Sequence, residues 1–202
     1  MANKNNIINK IILLAVVLLA SFMVVQGGKT SQSLALAAYT VGFGILVVAG
    51  IIMMILGYEA LDSRILVVLA ALIPLGISLG MVSQFISDLK LIYSLFCAVG
   101  IIAIAVSRWR SNIRVAAFVL AFFHGISGLV IFLLPIYLQF SDAVPARFLW
   151  VSLGGLIMGL GGLLHLYVKA GSTEKSASSM AKFLPLLLLI TTAAFVFGFT
   201  SL

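Results

Sequence analysis

Residues 115–140 read VAAFVLAFFHGISGLVIFLLPIYLQF, an apolar run without Asp, Glu, Lys or Arg. A helix of about 20 mostly apolar residues is long enough to cross the hydrocarbon core of a bilayer. Backbone groups in lipid must be hydrogen-bonded within their own segment, and this run is too long and too apolar for a barrel strand. The stretch therefore predicts a membrane-spanning α-helix.

The composition of the whole chain agrees with that prediction. Hydrophobic residues make up 63% of the 202 residues and charged residues 8%, with a mean hydropathy of +1.30. Soluble domains are about 45–50% apolar and about 25% charged. A soluble domain of this size exposes too much surface to bury so many apolar side chains. The composition indicates a polytopic membrane protein.

Charged and turn-forming residues divide the chain into seven apolar stretches, which predict one all-α integral membrane domain with seven transmembrane helices and short loops over residues 1–202. The first stretch follows a basic start and also resembles a signal peptide, but no convincing small-x-small cleavage site follows it. We therefore expect a helix there as well. The predicted spans are 9–26, 34–58, 65–87, 91–107, 115–140, 148–168 and 183–201.

The basic residues are unevenly divided between the two ends of these spans. Nine of the 12 Lys and Arg residues fall on the side of the N-terminus and three on the other side. Cytoplasmic loops are enriched in Lys and Arg, so we expect a multi-pass plasma membrane protein with a cytoplasmic N-terminus and an external C-terminus. This distribution explains the net charge of +7 without a nucleic-acid partner. The three basic residues on the side opposite the N-terminus are Lys29, Lys90 and Arg147.

Aromatic residues at the span ends and one polar segment indicate where the chain meets the membrane boundary. Tyrosine and tryptophan prefer the membrane–water interface, and seven of them lie at predicted span ends. The polar segment KAGSTEKSASSMAK (169–182) is expected to be a flexible cytoplasmic linker between the last two spans. The seven aromatic residues are Tyr39, Tyr58, Tyr93, Trp109, Tyr137, Trp150 and Tyr167.

Charged residues are confined to loops and span ends, which disfavours several classes of function. Ion-coupled carriers, pumps and voltage sensors hold ionisable groups within the membrane, and intramembrane hydrolases need a catalytic acid, base or nucleophile with a partner. The single cysteine, Cys97, excludes an intramolecular disulfide and a cysteine-based metal motif. We predict no catalytic residues and no metal site, and we favour a protein that is not an enzyme.

Glycines lie at spacings typical of close helix packing. Gly155 and Gly159 form a GxxxG pair, with Gly161 and Gly162 on the same helix and Gly128 on the preceding one. Small residues four apart let two helix backbones approach closely. We expect these five glycines to lie at helix contacts, within this chain or with another subunit.

Both histidines, His124 and His165, lie in apolar runs beside small residues. A strip of small side chains leaves room for a close helix, or for a haem b held by the two imidazoles as axial ligands. Residue counts from the predicted span ends put the two histidines about 9 Å apart in depth at 1.5 Å per residue. Axial ligands of one iron are nearly level, so we expect His124 to serve helix packing and keep haem b as an alternative.

Three hypotheses for the function follow from these features. The first is a non-catalytic integral membrane subunit that scaffolds or anchors part of a larger complex, with the lipid bilayer and other membrane subunits as partners. The second is an electron-transfer subunit with one haem between His124 and His165. The third is a channel or carrier for a small neutral solute, along a path near Gln84 and the Pro74 kink in the third span.

Overall fold

A computed structural model describes residues 2–57, 60, 63–171 and 174–202, with the side chains of 7–57, 60, 63–162 and 183–202. The described residues form seven α-helices joined by short connections, and no strand occurs among them. The helices are α1 (Ala2–Gln26), α2 (Ser33–Leu56), α3 (Arg64–Phe85), α4 (Lys90–Arg110), α5 (Ile113–Phe140), α6 (Leu149–Gly171) and α7 (Glu174–Phe199).

The prediction of an all-α, multi-pass membrane protein is confirmed. Five helices, α1 to α5, are long and apolar enough to cross a membrane. Within the side chains that the structure describes, the apolar parts of the last two helices are shorter, Ala146–Gly162 and Phe183–Phe199. Each of the seven predicted spans falls on one of the seven helices.

The connection between α6 and α7 differs from the expected linker. Helix α6 continues to Gly171 and α7 begins at Glu174, so most of the polar segment 169–182 is helical. The segment is polar but contains Ala, Lys, Glu and Met, which are good helix formers, and it has no proline to end a helix. Polarity marks the end of an apolar span here, and not the end of the helix.

Six of the helices form a closed ring. Going round it, α1 contacts α2, α2 contacts α3, α3 contacts α5, α5 contacts α6, α6 contacts α7, and α7 returns to α1. Helix α4 lies outside this ring and packs on α3 and α5. Successive helices are antiparallel because the connections are short. The interposed α4 makes α3 and α5 parallel neighbours in the ring.

A very close helix crossing joins α2 and α3 at Gly42 and Gly76. A Cβ atom placed on Gly76 would lie 2.8 Å from the carbonyl oxygen of Ala38 and 2.9 Å from the backbone nitrogen of Gly42. A Cβ on Gly42 would in turn lie 3.1 Å from the carbonyl oxygen of Ile73. The two backbones are therefore in contact: a methyl group has no room at Gly76 and would be tightly packed at Gly42.

Tyr39 lies in the protein core, which corrects its predicted position at the membrane interface. Its side chain is 0% exposed, and its ring occupies the space that side chains at Gly28 and Gly80 would fill. Gly28 also has a φ of 62°, in the left-handed region that glycine adopts easily. Two glycines distant in sequence thus make room for a ring that lies near a helix end.

The other interfacial aromatics have different surroundings. Trp109, Trp150 and Tyr137 are 53%, 45% and 64% exposed, consistent with contact with the membrane interface. Tyr93 is partly buried between α4 and the ring. Tyr58 lies outside the described residues, and the side chain of Tyr167 lies outside the described side chains.

An aromatic layer fills the ring towards its distal end, which we define as the end where α1, α3, α5 and α7 finish. Phe199 makes edge-to-face contacts with Tyr39, Phe43 and Phe148, at centroid distances of 5.1, 5.9 and 5.5 Å. Phe195 contacts Phe43 in the same way at 6.3 Å. All five rings are 0% exposed. The centre of the bundle is solid at this level.

We expect Gly76→Ala to destabilise the bundle, because the added methyl group meets backbone atoms of α2 that cannot rotate away. Overpacking of this kind costs about 1–3 kcal/mol. The measurement is thermal unfolding of the purified protein in detergent. Gly44→Ala on α2 is the matched control, since a Cβ there meets nothing within 4 Å. Equal stability of the two variants would contradict the close crossing.

Candidate functional site

His124 lies on α5 and faces α6. Its Nε2 atom is 3.7 Å from the position that a Cβ atom would take on Gly162. This is an ordinary van der Waals distance, so the imidazole packs directly on the glycine face of the neighbouring helix. On the same helix as His124, Cβ atoms placed on Gly125 and Gly128 would meet nothing within 4 Å, so space remains beside these two glycines. His124 is partly buried between the two helices.

The pairing of α5 and α6 fixes the depth of the second histidine. Gly155 lies opposite Ile131 and Gly162 lies opposite His124, so the two antiparallel helices keep a constant register over two turns. The same register puts the backbone of His165 about 4.5 Å from the level of His124, since three residues rise by that amount. This offset is half the 9 Å expected from the sequence. The side chain of His165 lies outside the described side chains.

The glycines expected at helix contacts differ in how closely they are packed. A Cβ on Gly155 would lie 2.8 Å from Ile131 Cγ2 and 3.1 Å from the backbone nitrogen of Phe132. A Cβ on Gly161 would contact Leu187 at 3.6 Å, whereas Cβ atoms on Gly159 and Gly128 would meet nothing within 4 Å. The GxxxG spacing therefore produces one tight contact, at Gly155, and not a pair.

Two of the three distal basic residues bind the end of α7. Lys29 Nζ donates a hydrogen bond to the carbonyl oxygen of Thr200 at 2.8 Å. Arg147 Nε donates to the carbonyl oxygen of Phe197 at 3.1 Å, and Arg147 Nη2 donates to Thr200 Oγ1 at 2.8 Å. Cations at a helix C-terminus satisfy free carbonyls and oppose the negative end of the helix dipole. These contacts tie the α1–α2 and α5–α6 connections to α7.

Backbone and ring geometry support this cap. Lys29 has a φ of 52° and follows Gly27 and Gly28, which are also left-handed, so the chain turns sharply before its side chain reaches α7. The guanidinium carbon of Arg147 lies 4.4 Å from the centre of the Phe197 ring. The charge distribution in the sequence gives no indication that Lys29 and Arg147 bind the end of α7.

A second polar contact links α2 and α3 at the distal end. Tyr39 Oη donates to Gln84 Oε1 at 2.8 Å, and Gln32 Nε2 donates to the carbonyl oxygen of Gln84 at 3.3 Å. The third hypothesis, a channel or carrier, placed a solute path near Gln84. In the structure its amide is engaged by Tyr39 at the edge of the aromatic layer, where it satisfies a hydroxyl group that would otherwise be buried without a partner.

The groups available for redox or metal chemistry are few. Cys97 is 7% exposed and its Sγ lies 3.7 Å from the carbonyl oxygen of Leu75, which fits a structural thiol. Among the described residues, no three His, Cys, Asp or Glu side chains come together in a group that could hold a metal ion.

An open cleft of about 230 Å³ lies between α1 and α2, near Lys10 and Gly57, and residues of α5 and α6 do not line it.

We expect Gly155→Ala to lower the free energy of unfolding by about 1–3 kcal/mol, because its methyl group overlaps Ile131 and the α5 backbone. Gly159→Ala is the matched control on the same helix. Its methyl group meets open space, so it should be neutral or slightly stabilising, since alanine favours helix over glycine. Thermal unfolding of both variants provides the measurement. Equal destabilisation by Gly159→Ala and Gly155→Ala would contradict this account, because it would mean that both glycines pack closely against a neighbouring helix.

We expect Arg147→Ala to destabilise the fold by about 1 kcal/mol, through loss of the helix cap and of the contact with Phe197. Arg147→Lys keeps the charge but not the planar fork, so it should recover only part of the loss. Lys90→Ala, which removes the third distal basic residue, serves as the control. Full recovery by Arg147→Lys would show that charge alone is responsible.

Comparison with known proteins gives no relative: no family model, no curated protein and no solved structure matches this chain.

Proposed function

We propose that the chain is a non-catalytic integral membrane subunit, which scaffolds or anchors part of a larger membrane complex. The observation that supports this most is the position of α4. The ring of six helices closes without α4, so this helix is not needed to complete the bundle. A helix added to the outside of a closed ring is well placed to contact another subunit.

The two faces of α4 differ in burial. Cys97, Gly100 and Ile104 pack against the ring. The opposite face is apolar along its whole length and exposed, from Leu91 at 69% to Ile102 at 62% and Val106 at 51%. Such a face is compatible with lipid and equally with the helix of a partner, since association in a bilayer depends on packing and not on hydrophobicity.

The interior of the bundle supports a structural role. The aromatic layer fills the ring at its distal end, which argues against a solute path through the centre. Among the described side chains, the buried polar residues other than Tyr39 are all Ser or Thr. Hydroxyl groups of this kind stabilise helix contacts, whereas acid–base chemistry needs groups that can exchange a proton near the operating pH.

Site-specific photo-cross-linking in native membranes tests this proposal. A photoreactive amino acid at Ile102 on α4 is compared with the same amino acid at Leu18 on α1, because both native side chains are 62% exposed. We expect the Ile102 position to give a discrete cross-linked product with a second polypeptide, and the Leu18 position to give none. The proposal would be overturned if neither position gave a cross-linked product and the gently solubilised protein were monomeric.

We propose further that the chain lies in the plasma membrane with its N-terminus in the cytoplasm and its distal end outside. Nine basic residues near one end against three near the other support this orientation. The single native cysteine makes the test straightforward, because Cys97→Ala gives a background without thiols.

In that background we expect Ser141→Cys, at the distal end, to react with a membrane-impermeant maleimide in intact cells. Ser111→Cys, in the connection between α4 and α5, should react only after the membrane is permeabilised. Both serines are exposed and lie in connections between helices. The opposite pattern would reverse the orientation, and no labelling of either in intact cells would place the protein in an internal membrane.

One observation favours the electron-transfer alternative: the register of α5 and α6 puts the backbones of His124 and His165 about 4.5 Å apart in depth, half of the roughly 9 Å expected from the sequence. An absorption spectrum of the gently solubilised protein tests it. A Soret band that disappears in His124→Ala would establish a haem ligand, and a colourless protein would leave His124 as a packing residue.

A further inference from the structure

The cleft between α1 and α2 opens where two closely packed helices separate. A Cβ atom placed on Gly50 of α2 would lie 2.7 Å from Val17 Cγ2 on α1, so the helices touch at this level. Two turns, or about seven residues, along each antiparallel helix lead from these two residues to Gly57 and Lys10. A Cβ atom on Gly57 would meet nothing within 4 Å. Lys10 and Gly57 both line the cleft, which has a volume of about 230 Å³.

The walls of the cleft carry charge of both signs. Lys10 on α1 supplies an exposed ammonium group, and the partly buried Asn9 beside it supplies an amide. The other wall is the last turn of α2, from Met53 to Gly57. The last carbonyl groups of a helix have no partner within the helix and carry the negative end of its dipole. The cleft therefore combines a cation with a set of carbonyl acceptors.

Apolar surface continues from the cleft along both helices. Ile11, Leu14 and Leu18 on α1 are exposed, and so is Ile55 on α2. Both helices are long and apolar enough to cross a membrane, so lipid chains cover these faces. The polar cleft lies at the end of the apolar faces, where a bilayer places its headgroups. A molecule with a polar head and apolar chains matches this succession of surfaces.

The charges of the cleft select the kind of headgroup. An anion alone would lie against the negative end of α2, and a cation alone would lie against Lys10. A zwitterionic headgroup places its phosphate at the lysine and its cation at the carbonyl groups. A primary ammonium group has three N–H donors for these carbonyls, whereas the quaternary ammonium group of choline has none. The cleft is smaller than the pockets of drug-sized ligands, about 300–1,000 Å³, which suits a small headgroup.

We propose that this cleft binds the headgroup of an ethanolamine phospholipid. Lys10 Nζ and the Asn9 amide donate hydrogen bonds to the phosphate, and the ethanolamine ammonium group donates to the carbonyl groups at the end of α2. The acyl chains lie along the exposed faces of α1 and α2. The bound lipid fills the gap left where the two helices separate. The proposal rests on the cleft alone, and it is independent of whether the chain is a subunit of a larger complex.

Lipid binding to the delipidated full-length protein in detergent tests this proposal. Dioleoyl lipids with ethanolamine, choline or glycerol headgroups are added one at a time, and native mass spectrometry and thermal unfolding measure retention and stabilisation. We expect the ethanolamine lipid to be retained best and to raise the unfolding temperature most. Equal effects of the choline lipid, or larger effects of the anionic glycerol lipid, would overturn the assignment of the headgroup.

Variants of Lys10 locate the site. Lys10→Ala should weaken binding of the ethanolamine lipid about tenfold or more, because a hydrogen bond between charged groups is lost. Lys10→Arg keeps the charge and should retain most of the binding. Lys10 is exposed, so the unfolding temperature without lipid should not change in either variant. Lys90→Ala, which removes an exposed lysine at the distal end, is the matched control and should bind like the native protein. Undiminished binding by Lys10→Ala would overturn the proposal.

A water-soluble headgroup distinguishes a lipid site from a site for a free phosphoester. Glycerophosphoethanolamine carries the same phosphate and ammonium groups without acyl chains. We expect it to stabilise the protein much less than the lipid at equal concentration, since the apolar faces of α1 and α2 contribute nothing to its binding. Equal stabilisation by the soluble compound would overturn the assignment of a lipid.

Discussion

The contact of two helix backbones at Gly42 and Gly76 is the constraint on which the rest of the bundle depends. In a bilayer, lipid tails are as apolar as side chains, so helices associate through close packing and hydrogen bonds. The crossing of α2 and α3 supplies such packing directly between main chains. It also positions Gly80 against Tyr39, and the Tyr39 ring in turn forms one edge of the aromatic layer that fills the ring.

Polar groups complete the fold at places where packing alone leaves backbone atoms unsatisfied. The C-terminus of α7 presents carbonyl groups at the distal end, and Lys29 and Arg147 donate to them from two different connections. Lys29 lies just after α1 and Arg147 lies just before α6, so the cap joins α7 to both of its neighbours in the ring. Two of the few basic residues at the distal end therefore stabilise the folded bundle by capping α7.

Much of the fold could be predicted from the sequence, and the missing part has a physical reason. Apolar runs such as residues 115–140 locate the helices because lipid requires them to be apolar and hydrogen-bonded along their length. The same uniform apolarity hides which face of each helix packs inward, since no polar face marks the solvent side. The order of helices around the ring, and the position of α4 outside it, could not be read from hydropathy.

Individual residues show the same limit. Tyr39 has the position of an interfacial residue, but its burial depends on Gly28 and Gly80, which are close to it only in the folded chain. Gly155 and Gly159 have equivalent spacing in the sequence, and only Gly155 meets a neighbouring helix closely. The small residues beside His124 predict room for another group, and the structure adds that Gly162 of α6 lies at van der Waals distance from the imidazole.

The proposed role rests on a bundle that closes without α4 and leaves that helix free for a partner. Native mass spectrometry of the particle extracted with a mild detergent or polymer tests this most directly. The account predicts that the 21.5 kDa chain is recovered in a complex with at least one other polypeptide, at a fixed stoichiometry. Recovery of the chain alone, with lipid but no other polypeptide, would contradict it.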